Sequence, residues 1–258
     1  LKEIKSKNVI LIEYKEVNYN YKNLQNIKPH FMVVNGLTGR EELFYRAFER
    51  FYLVRNLSEQ RELEHIVFLE IDNLIYEDPN IWFEIFKNNN VNAAFMIDNV
   101  NRASTGIAYF KNINIIKKLT DYFDEYMLSW RSKNFLSEMG AVYEFYTNNI
   151  DDCFILPSLV NDINKPILSE NYTKFNTIFD PASYGIYLLG YDPFHTNGKI
   201  VLHQQNTMSC IKPTDNVKWL TENGKKKPYV FIENNKILIS NLHVHSKDLL
   251  NGLSIPYE

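Results

Sequence analysis

The segment His65–Asn73 reads H-I-V-F-L-E-I-D-N, and it constrains the fold more than any other stretch of this chain. Its apolar run, residues 66–69, is unbroken by polar residues, which is typical of a strand buried on both faces of a parallel sheet. Two carboxylates, Glu70 and Asp72, follow where such a strand would end. Acidic side chains at the carboxyl end of a strand can hold a hard divalent cation. The alternative is a solvated acidic loop, because an isolated E-x-D has little specificity.

Strands and helices alternate along the first part of the chain. Apolar residues recur at helical spacing over residues 40–55, after a capping-box sequence at 38–41. Asp78 and Pro79 supply an N-cap and a first-turn proline for a helix that runs to about residue 87. The other predicted elements are strands at 8–13, 30–34, 91–97 and 106–110, a polar loop at 98–102, a helix from Ile116 to Trp130, and a helix that begins near Ser137. This order predicts an α/β fold with a mixed, mostly parallel sheet flanked by helices, in a single domain over residues 1–258.

The second part of the chain has a different texture. Residues 161–176 are polar, and residues 179–193 are rich in Gly, Pro and Tyr, so long functional loops are predicted there. The charge run Lys225–Lys227 predicts a solvated loop in preference to a phosphate site. Residues 229–242 predict a hairpin, because the Asn-Asn pair at its centre tolerates the left-handed conformations of a tight turn.

Composition limits the classes of partner. The 258 residues are 45% hydrophobic, enough for a sizeable core, and the net charge of −3 provides no basic field for nucleic acid. No stretch approaches the about 18 consecutive apolar residues of a membrane span. The two cysteines, Cys153 and Cys210, form no motif and suggest a reducing compartment, so we expect a cytoplasmic location, including the cytoplasm of a virus-infected host. The chain begins at Leu1, so we expect it to be a piece of a longer protein; its oligomeric state is left open.

A second set of candidate ligands lies near the end of the chain, in N-L-H-V-H-S-K. Strand alternation would put His243 and His245 on one face and the apolar residues between and before them on the other. Such a pair can present imidazole to a metal, and Lys247 can meet a phosphate. Two hydrogen-bonded surface histidines are the alternative. Together with the acids of the E-x-D, these residues would hold a divalent cation that binds the phosphates of a nucleoside diphosphate.

Two arginines precede the E-x-D on the predicted helix. Arg46 and Arg50 are four residues apart and share one stripe of that helix. Either guanidinium could bind the same diphosphate. The alternative is a salt-bridged helix surface, for which the helix offers Glu41, Glu42 and Glu49.

Several stretches resemble a known family. F-Y-R-A-F-E-R-F-Y-L-V followed by H-I-V-F-L-E-I-D-N-L-I-Y resembles the helix and metal-motif strand of nucleotide-sugar glycosyltransferases of the GT-A fold, particularly viral and microbial members, in which D-x-D can appear as a Glu/Asp variant. S-T-G-I-A-Y-F-K-N (104–112), the segment 179–193 and the terminal N-L-H-V-H-S-K look similar in the same order, so the resemblance spans residues 44–247. It implies a Rossmann-like GT-A domain that uses Mn²⁺ or Mg²⁺ and a UDP-sugar donor.

The resemblance also implies roles for individual residues. Asp72 matches the second acid of D-x-D and would bind the metal directly, whereas Glu70 matches the first, near the ribose or a metal-bound water. Glu70 departs from the usual aspartate. His243 or His245 matches the C-terminal histidine of the metal site, with His245 slightly preferred, and Lys247 matches the cation that meets the diphosphate.

The acceptor side is less defined. Glu138, at a predicted helix start, is a candidate general base, because a helix N-terminus helps to keep a carboxylate ionised. Asp180 and Asp192 are rivals, and each of the three could instead be a cap or turn residue. Tyrosines in the segment 179–193 could stack on a sugar, or simply pack with their hydroxyls hydrogen-bonded. The acceptor (glycan, protein or lipid) and the stereochemical outcome are left open.

Three functions fit these residues. The first is a metal-dependent glycosyltransferase. The second is a non-catalytic module of the same fold that binds a nucleotide-sugar or a glycan. The third is a nucleotidyltransferase, which also uses acidic metal ligands but normally carries a glycine-rich basic phosphate loop near its start; none is present in residues 8–39.

Overall fold

A computed structural model describes residues 41–129, 136–191, 199–246 and 248–252, together with residues 12, 17, 24–26 and 28. Several predictions lie wholly or mostly outside these residues. They are the strands at 8–13 and 30–34, the capping box at 38–41, the helix end at Trp130, and the site residues Asp192 and Lys247.

Strands and helices are interspersed along the described chain up to residue 156. Its first elements are α1 (Glu41–Arg61), β1 (Ile66–Leu69), β2 (Asn73–Ile75), α2 (Pro79–Asn88), β3 (Ala93–Asn99), β4 (Arg102–Phe110), α3 (Ile113–Leu128) and α4 (Glu138–Asn148). A short 3₁₀ helix, Ile150–Asp152, leads into β5 (Cys153–Leu156). The remaining elements are α5 (Pro166–Ser169), α6 (Tyr172–Phe175), α7 (Tyr184–Leu189), β6 (Val217–Glu222), β7 (Lys225–Ile232), β8 (Asn235–Leu238), β9 (Asn241–His243) and α8 (Leu249–Gly252).

The helix starts predicted from capping residues are confirmed. Asp78 is the N-cap of α2, and its side chain accepts a hydrogen bond from the Asn80 N–H at 3.0 Å. Ser137 caps α4 in the same way, accepting from the Gly140 N–H at 3.2 Å. None of the helices in the described residues is both long and apolar enough to cross a membrane.

The central sheet is mixed, with the strand order β1-β4-β3-β5. β4 runs antiparallel to both β1 and β3, and β5 runs parallel to β3. The expectation of a mostly parallel sheet is therefore wrong for the strands that the structure describes. The reason is the predicted loop at 98–102: β3 and β4 are separated by only two residues, which can join an antiparallel hairpin but not a parallel crossover. The parallel pair, by contrast, is connected through α3 and α4.

β1 differs from the strand buried on both faces that its apolar run predicts. Within the described residues it pairs with β4 alone, its first three residues are half-buried, and Leu69 is 40% exposed. Ile66 and Phe68 pack against one core cluster and Val67 against another. Both faces of β1 are therefore covered in part, and an apolar run alone does not reveal that a strand has a single neighbour.

Helices cover both faces of the sheet, as the α/β prediction requires. The side chains of β3 alternate: Phe95 faces a cluster formed with α1, α3 and α4, and Met96 faces a second cluster formed with α2. In the first cluster, the Phe48 ring packs edge to face on Phe123 with centroids 5.0 Å apart. In the second, Phe86 stacks on Tyr109 at 4.1 Å. The two clusters pack on opposite faces of the sheet, and β1 and β3 both end at one edge of that packed sheet.

The second part is more regular than predicted. The expected loops contain α5, α6 and α7, and Lys225–Lys227 starts strand β7 instead of forming a loop. The predicted hairpin is confirmed for β7 and β8, which form a three-stranded antiparallel sheet with β6. Its predicted turn is wrong by one residue: the left-handed conformation is adopted by Glu233, and Asn235 already belongs to β8. The continuation of β8 leaves that sheet, however, and β9 pairs antiparallel with β2. This pairing places the segment Asn241–His243 beside the E-x-D.

Candidate metal centre

Glu70 and Asp72 lie in the tight connection between β1 and β2. The Glu70 N–H donates to the Gly106 carbonyl at 3.0 Å, and the Asn73 N–H donates back to the Glu70 carbonyl at 3.0 Å. Between the two acids, Ile71 is 94% exposed, whereas Asp72 is 7% exposed. The turn therefore leaves Ile71 in solvent and places the two carboxylates close together.

His243 reaches these acids because β9 pairs with β2. Asn73 lies opposite His243 in the pair, and the Val244 N–H donates to the Asp72 carbonyl at 2.8 Å. His243 Nε2 lies 3.2 Å from Glu70 Oε2 and 3.4 Å from Asp72 Oδ1. The potential ligand atoms of Glu70, Asp72 and His243 all lie within 4.8 Å of one another. These three residues are called the acid–histidine cluster below.

His245 does not join the acid–histidine cluster. Its half-buried ring packs edge to face on the His243 ring, with centroids 4.8 Å apart, and lies 5.9 Å from the ring of Tyr191. The geometry thus favours His243 as the ligand. The preference for His245 that accompanied the family resemblance is not supported by this geometry. Which histidine faces the acids depends on the register of β9 on β2. That register cannot be read from an H-x-H pattern in the sequence.

Gly106 and two asparagines form a hydrogen-bonded chain beside the His243 ring, whose Nδ1 is buried and has no hydrogen-bond partner among the described residues. Asn73 Nδ2 donates to the Gly106 carbonyl at 3.1 Å, and Asn241 Nδ2 donates to Asn73 Oδ1 at 2.8 Å. A Cβ added to Gly106 would lie 2.9 Å from His243 Nδ1 and 3.0 Å from Asn73 Nδ2. Both distances are shorter than ordinary van der Waals contact, so glycine is what lets β4 approach the imidazole.

Gly106→Ala is expected to displace the His243 imidazole and to weaken Mn²⁺ binding about tenfold or more. The added methyl group should also lower the free energy of unfolding by about 1–3 kcal/mol, because the surroundings are already packed. Calorimetric titration with Mn²⁺ and urea unfolding measure the two effects. Gly224→Ala is the control: its φ of +75° makes alanine strained, but a Cβ there meets nothing within 4 Å. The control should lose stability alone, and an unchanged Mn²⁺ affinity in Gly106→Ala would contradict the prediction.

Asp180, a candidate base, is fully buried and bound by the main chain. Its Oδ1 accepts hydrogen bonds from the Ser183 and Tyr184 N–H groups at 2.6 and 2.8 Å. Its Oδ2 accepts from the Gly185 and His243 N–H groups at 2.7 and 3.0 Å. Burial raises the pKa of Asp180, and these donors oppose that rise. The carboxylate therefore caps α7 and ties it to β9, which is the cap alternative considered for this residue.

The tyrosines of α7 are packed, and their hydroxyls are hydrogen-bonded. Tyr184 donates to the Ser158 carbonyl at 2.8 Å, and Tyr187 donates to Asp215 Oδ1 at 2.9 Å. Both rings are buried. Neither ring therefore offers a face on which a sugar could stack.

Arg50 connects Glu70 to the other described base candidate, Glu138. Its Nη1 donates to Glu70 Oε1, and its Nη2 donates to Thr105 Oγ1 and, 3.1 Å away, to Glu138 Oε1. The Thr105 hydroxyl also donates to Glu138 Oε1 at 3.3 Å. Glu138 is 6% exposed. The guanidinium thus bridges two carboxylates, one of which belongs to the acid–histidine cluster.

Arg46 points elsewhere. It pairs with Glu42 and Glu49 on its own helix, α1, which is the salt-bridged alternative. The structure therefore brings together Arg50, Glu70 and Glu138 with the other two members of the cluster, and it leaves Arg46 on the helix surface.

The charges of the cluster stabilise one another. Burial raises the pKa of Glu70, but the hydrogen bond from His243 and the charge of Arg50 outweigh it and hold the pKa at about 2. Burial lowers the pKa of His243, but its bonds to Asp72 and Glu70 outweigh it and raise the pKa to about 9. Burial raises the pKa of Glu138, and the charge of Arg50 opposes that rise. Without a cation, a protonated imidazole therefore neutralises part of the carboxylate charge.

This donor set fits a divalent cation. Carboxylate oxygens and one imidazole nitrogen suit Mn²⁺ or Mg²⁺, with the nitrogen favouring Mn²⁺. Adjacent ligands of an octahedral ion with bonds of about 2.1 Å lie about 3 Å apart, close to the 3.2 and 3.4 Å from Nε2 to the two carboxylates. A cation that takes the place of the proton on Nε2 would keep all three residues within a short distance.

Sequence reasoning missed four residues that support the cluster: Asn73, Thr105, Gly106 and Asn241. Thr105 and Gly106 belong to S-T-G-I-A-Y-F-K-N, which carries part of the family resemblance but suggested no role for either residue. Asn73 directly follows the E-x-D, and Asn241 begins the terminal motif, so their positions beside the two ligand motifs were the available signal. Their pairing depends on β2 and β9 being neighbours, which the sequence does not show.

No protein-family model matches this chain, and no curated protein sequence matches it significantly. One solved structure that overlaps with it is the apo form of mouse xyloside xylosyltransferase 1, at 10% sequence identity and a TM-score of 0.35. The overlap covers 59% of this chain and 69% of that chain. An overlap this low establishes neither a shared fold nor a shared activity.

Proposed function

We propose that this chain is a metal-dependent glycosyltransferase that transfers a sugar from a UDP-sugar donor to an acceptor. The observation that supports the proposal is the convergence of Glu70, Asp72 and His243 at the sheet edge where β1 ends. The chain carries the acids and the histidine some 170 residues apart, and the pairing of β2 with β9 brings them together. The order of the family-like stretches in the sequence adds support.

Each residue of the site has a role in this proposal. Asp72 and His243 bind Mn²⁺ or Mg²⁺, and Glu70 binds it directly or through a water. Held by these residues, a divalent cation would supply positive charge for the diphosphate of the leaving UDP. Arg50 stays between Glu70 and Glu138, because its Nη1 donates to the first carboxylate and its Nη2 to the second. Lys247 lies outside the described residues, and we propose that its ammonium group contacts the diphosphate.

One observation favours a second function, a non-catalytic module that binds a nucleotide-sugar. Both base candidates in the described residues are engaged: Asp180 by four backbone N–H groups, and Glu138 by Arg50 and Thr105. A retaining transferase would need no such base, and Asp192 is a further candidate outside the described residues. Assaying UDP-sugar hydrolysis and transfer separates the two functions: donor binding without turnover would favour the module.

Asp72→Ala is expected to weaken Mn²⁺-dependent UDP binding by more than about 100-fold, because loss of a direct ligand should exceed the 10–100-fold that supporting residues contribute. Calorimetric titration of UDP in the presence of Mn²⁺ measures the affinity, and a UDP-sugar panel then tests turnover.

Asp121→Ala is the matched control for Asp72→Ala. Asp121 is an exposed carboxylate that pairs with Arg55 on α1 at 2.7 Å, far along the chain from the E-x-D. Its loss should leave UDP binding within about twofold, since exposed ion pairs contribute about 0–1 kcal/mol to stability and nothing to the cluster. The proposal fails if the unmodified chain does not bind UDP with Mn²⁺, or if Asp72→Ala binds it as tightly.

A further inference from the structure

The two terminal nitrogens of Arg50 are hydrogen-bonded, whereas its buried Nε has no partner among the described residues. Its two terminal nitrogens have three oxygen partners, on Glu70, Thr105 and Glu138. Its guanidinium carbon also lies 5.4 Å from the ring centroids of both Phe51 and Phe68, within the range of cation–π attraction. The three oxygens come from three different elements: the end of β1, β4 and the first turn of α4.

Among the described residues, hydrogen bonds link Glu138 to the acid–histidine cluster through this arginine, and the charge of Glu70 also acts on the Glu138 carboxylate. Its Oε1 receives the hydrogen bonds from Arg50 and Thr105, and no ion pair joins it to His243 among the described residues. Arg50 in turn holds Oε1 of Glu70, which leaves Oε2 of that carboxylate facing His243. Glu138 therefore contacts Arg50, and Arg50 in turn orients the Glu70 carboxylate.

We propose that Glu138 is a positioning residue that acts through Arg50 to aim the Glu70 carboxylate at the cation, and that it is not the general base. This inference rests on the proposed cation site. A base must lie within hydrogen-bond reach of the acceptor hydroxyl, but Glu138 is buried behind Arg50 and Thr105. Residues that orient a metal ligand typically change metal affinity 10–100-fold when they are removed.

The two roles of Glu138 predict opposite results for two substitutions. In the positioning role, Glu138→Ala removes the acceptor for Arg50 and should weaken Mn²⁺–UDP binding about 10–100-fold. Glu138→Gln keeps an oxygen for the same bonds and should restore the affinity to within about threefold of the unmodified chain, and UDP-sugar hydrolysis with it. In the base role, Glu138→Ala would bind Mn²⁺ and UDP normally, and Glu138→Gln would lower turnover about 10²–10⁴-fold.

The route through Arg50 is tested by combining substitutions. In an Arg50→Met background, Glu138→Ala should change the Mn²⁺–UDP affinity by less than about threefold, because the link is already broken. Glu144→Ala is the control on the same helix: Glu144 accepts from the Tyr122 hydroxyl at 3.2 Å, away from the cluster, and should leave the affinity unchanged. A full additional loss in the Arg50→Met background, or a normal affinity in Glu138→Ala, would overturn the inference.

Failure of the proposed function would show separately, as absence of Mn²⁺–UDP binding by the unmodified chain. The link through Arg50 would then be read from thermal unfolding without any cation. The Tm shifts of Glu70→Gln and Glu138→Ala should be non-additive in the unmodified chain and additive in Arg50→Met. Additive shifts in both backgrounds would overturn the inference without reference to metal.

Discussion

Asp180→Ala is expected to lower the free energy of unfolding by about 3–5 kcal/mol, because several buried hydrogen-bond donors would lose one common acceptor. Four backbone N–H groups would lose their acceptor in a fully buried position. Each buried donor left without a partner costs about 1–3 kcal/mol, and entry of water would recover part of the sum. Urea unfolding followed by circular dichroism measures the loss.

Asp180→Ala should also weaken Mn²⁺ binding, because one of the four donors is the N–H of His243. Without the carboxylate, α7 loses its cap, and the His243 N–H in β9 loses its bond to that cap. Two variants calibrate the effect. Asp180→Asn keeps one acceptor oxygen and should fall between alanine and the unmodified chain. Asp215→Ala removes an exposed carboxylate that binds α7 only through the Tyr187 hydroxyl, and it should cost less than about 1 kcal/mol.

An Asp180→Ala variant as stable as Asp215→Ala would contradict the capping role. A variant that is destabilised but binds Mn²⁺ normally would show that the position of β9 does not depend on α7. In the first case Asp180 would again become a candidate for direct contact with the substrate.

Local features of the fold were predictable because their causes lie within a few residues. Asp78 and Ser137 cap helices through hydrogen bonds to N–H groups two or three positions further on, and such spacing is visible in a sequence. The pairing of strands was less predictable. The unbroken apolar run of β1 fits a strand with one neighbour as well as a strand with two, and nothing near residues 73–75 indicates that they pair with residues 241–243.

The same distinction applies to the site. The E-x-D was recognisable because oxygen ligands near a strand end suit a divalent cation. The choice between His243 and His245, by contrast, depends on a strand register set by residues about 170 positions away. The partners of Arg50 could not be predicted from the sequence either, because Glu42 and Glu49 on the same helix were equally good local candidates. In the structure, those two glutamates pair with Arg46.

His243→Ala is expected to abolish measurable Mn²⁺ binding, whereas His245→Ala should weaken it by no more than about threefold. His243 Nε2 faces both carboxylates, and the His245 ring packs on the His243 ring. Titration of Mn²⁺, with free ion followed by electron paramagnetic resonance, measures the two affinities in the same experiment.

A direct readout of ligation separates a lost ligand from a disturbed fold. Electron spin echo envelope modulation of bound Mn²⁺ should show coupling to an imidazole nitrogen in the unmodified chain and in His245→Ala. His243→Gln, which keeps the strand but supplies no imidazole, should lose that coupling at Mn²⁺ concentrations high enough to restore occupancy. If the coupling instead persists in His243→Gln and disappears in His245→Ala, then His245 is the ligand, and the register of β9 must shift when the cation binds, because a shift is what would carry that imidazole to Asp72.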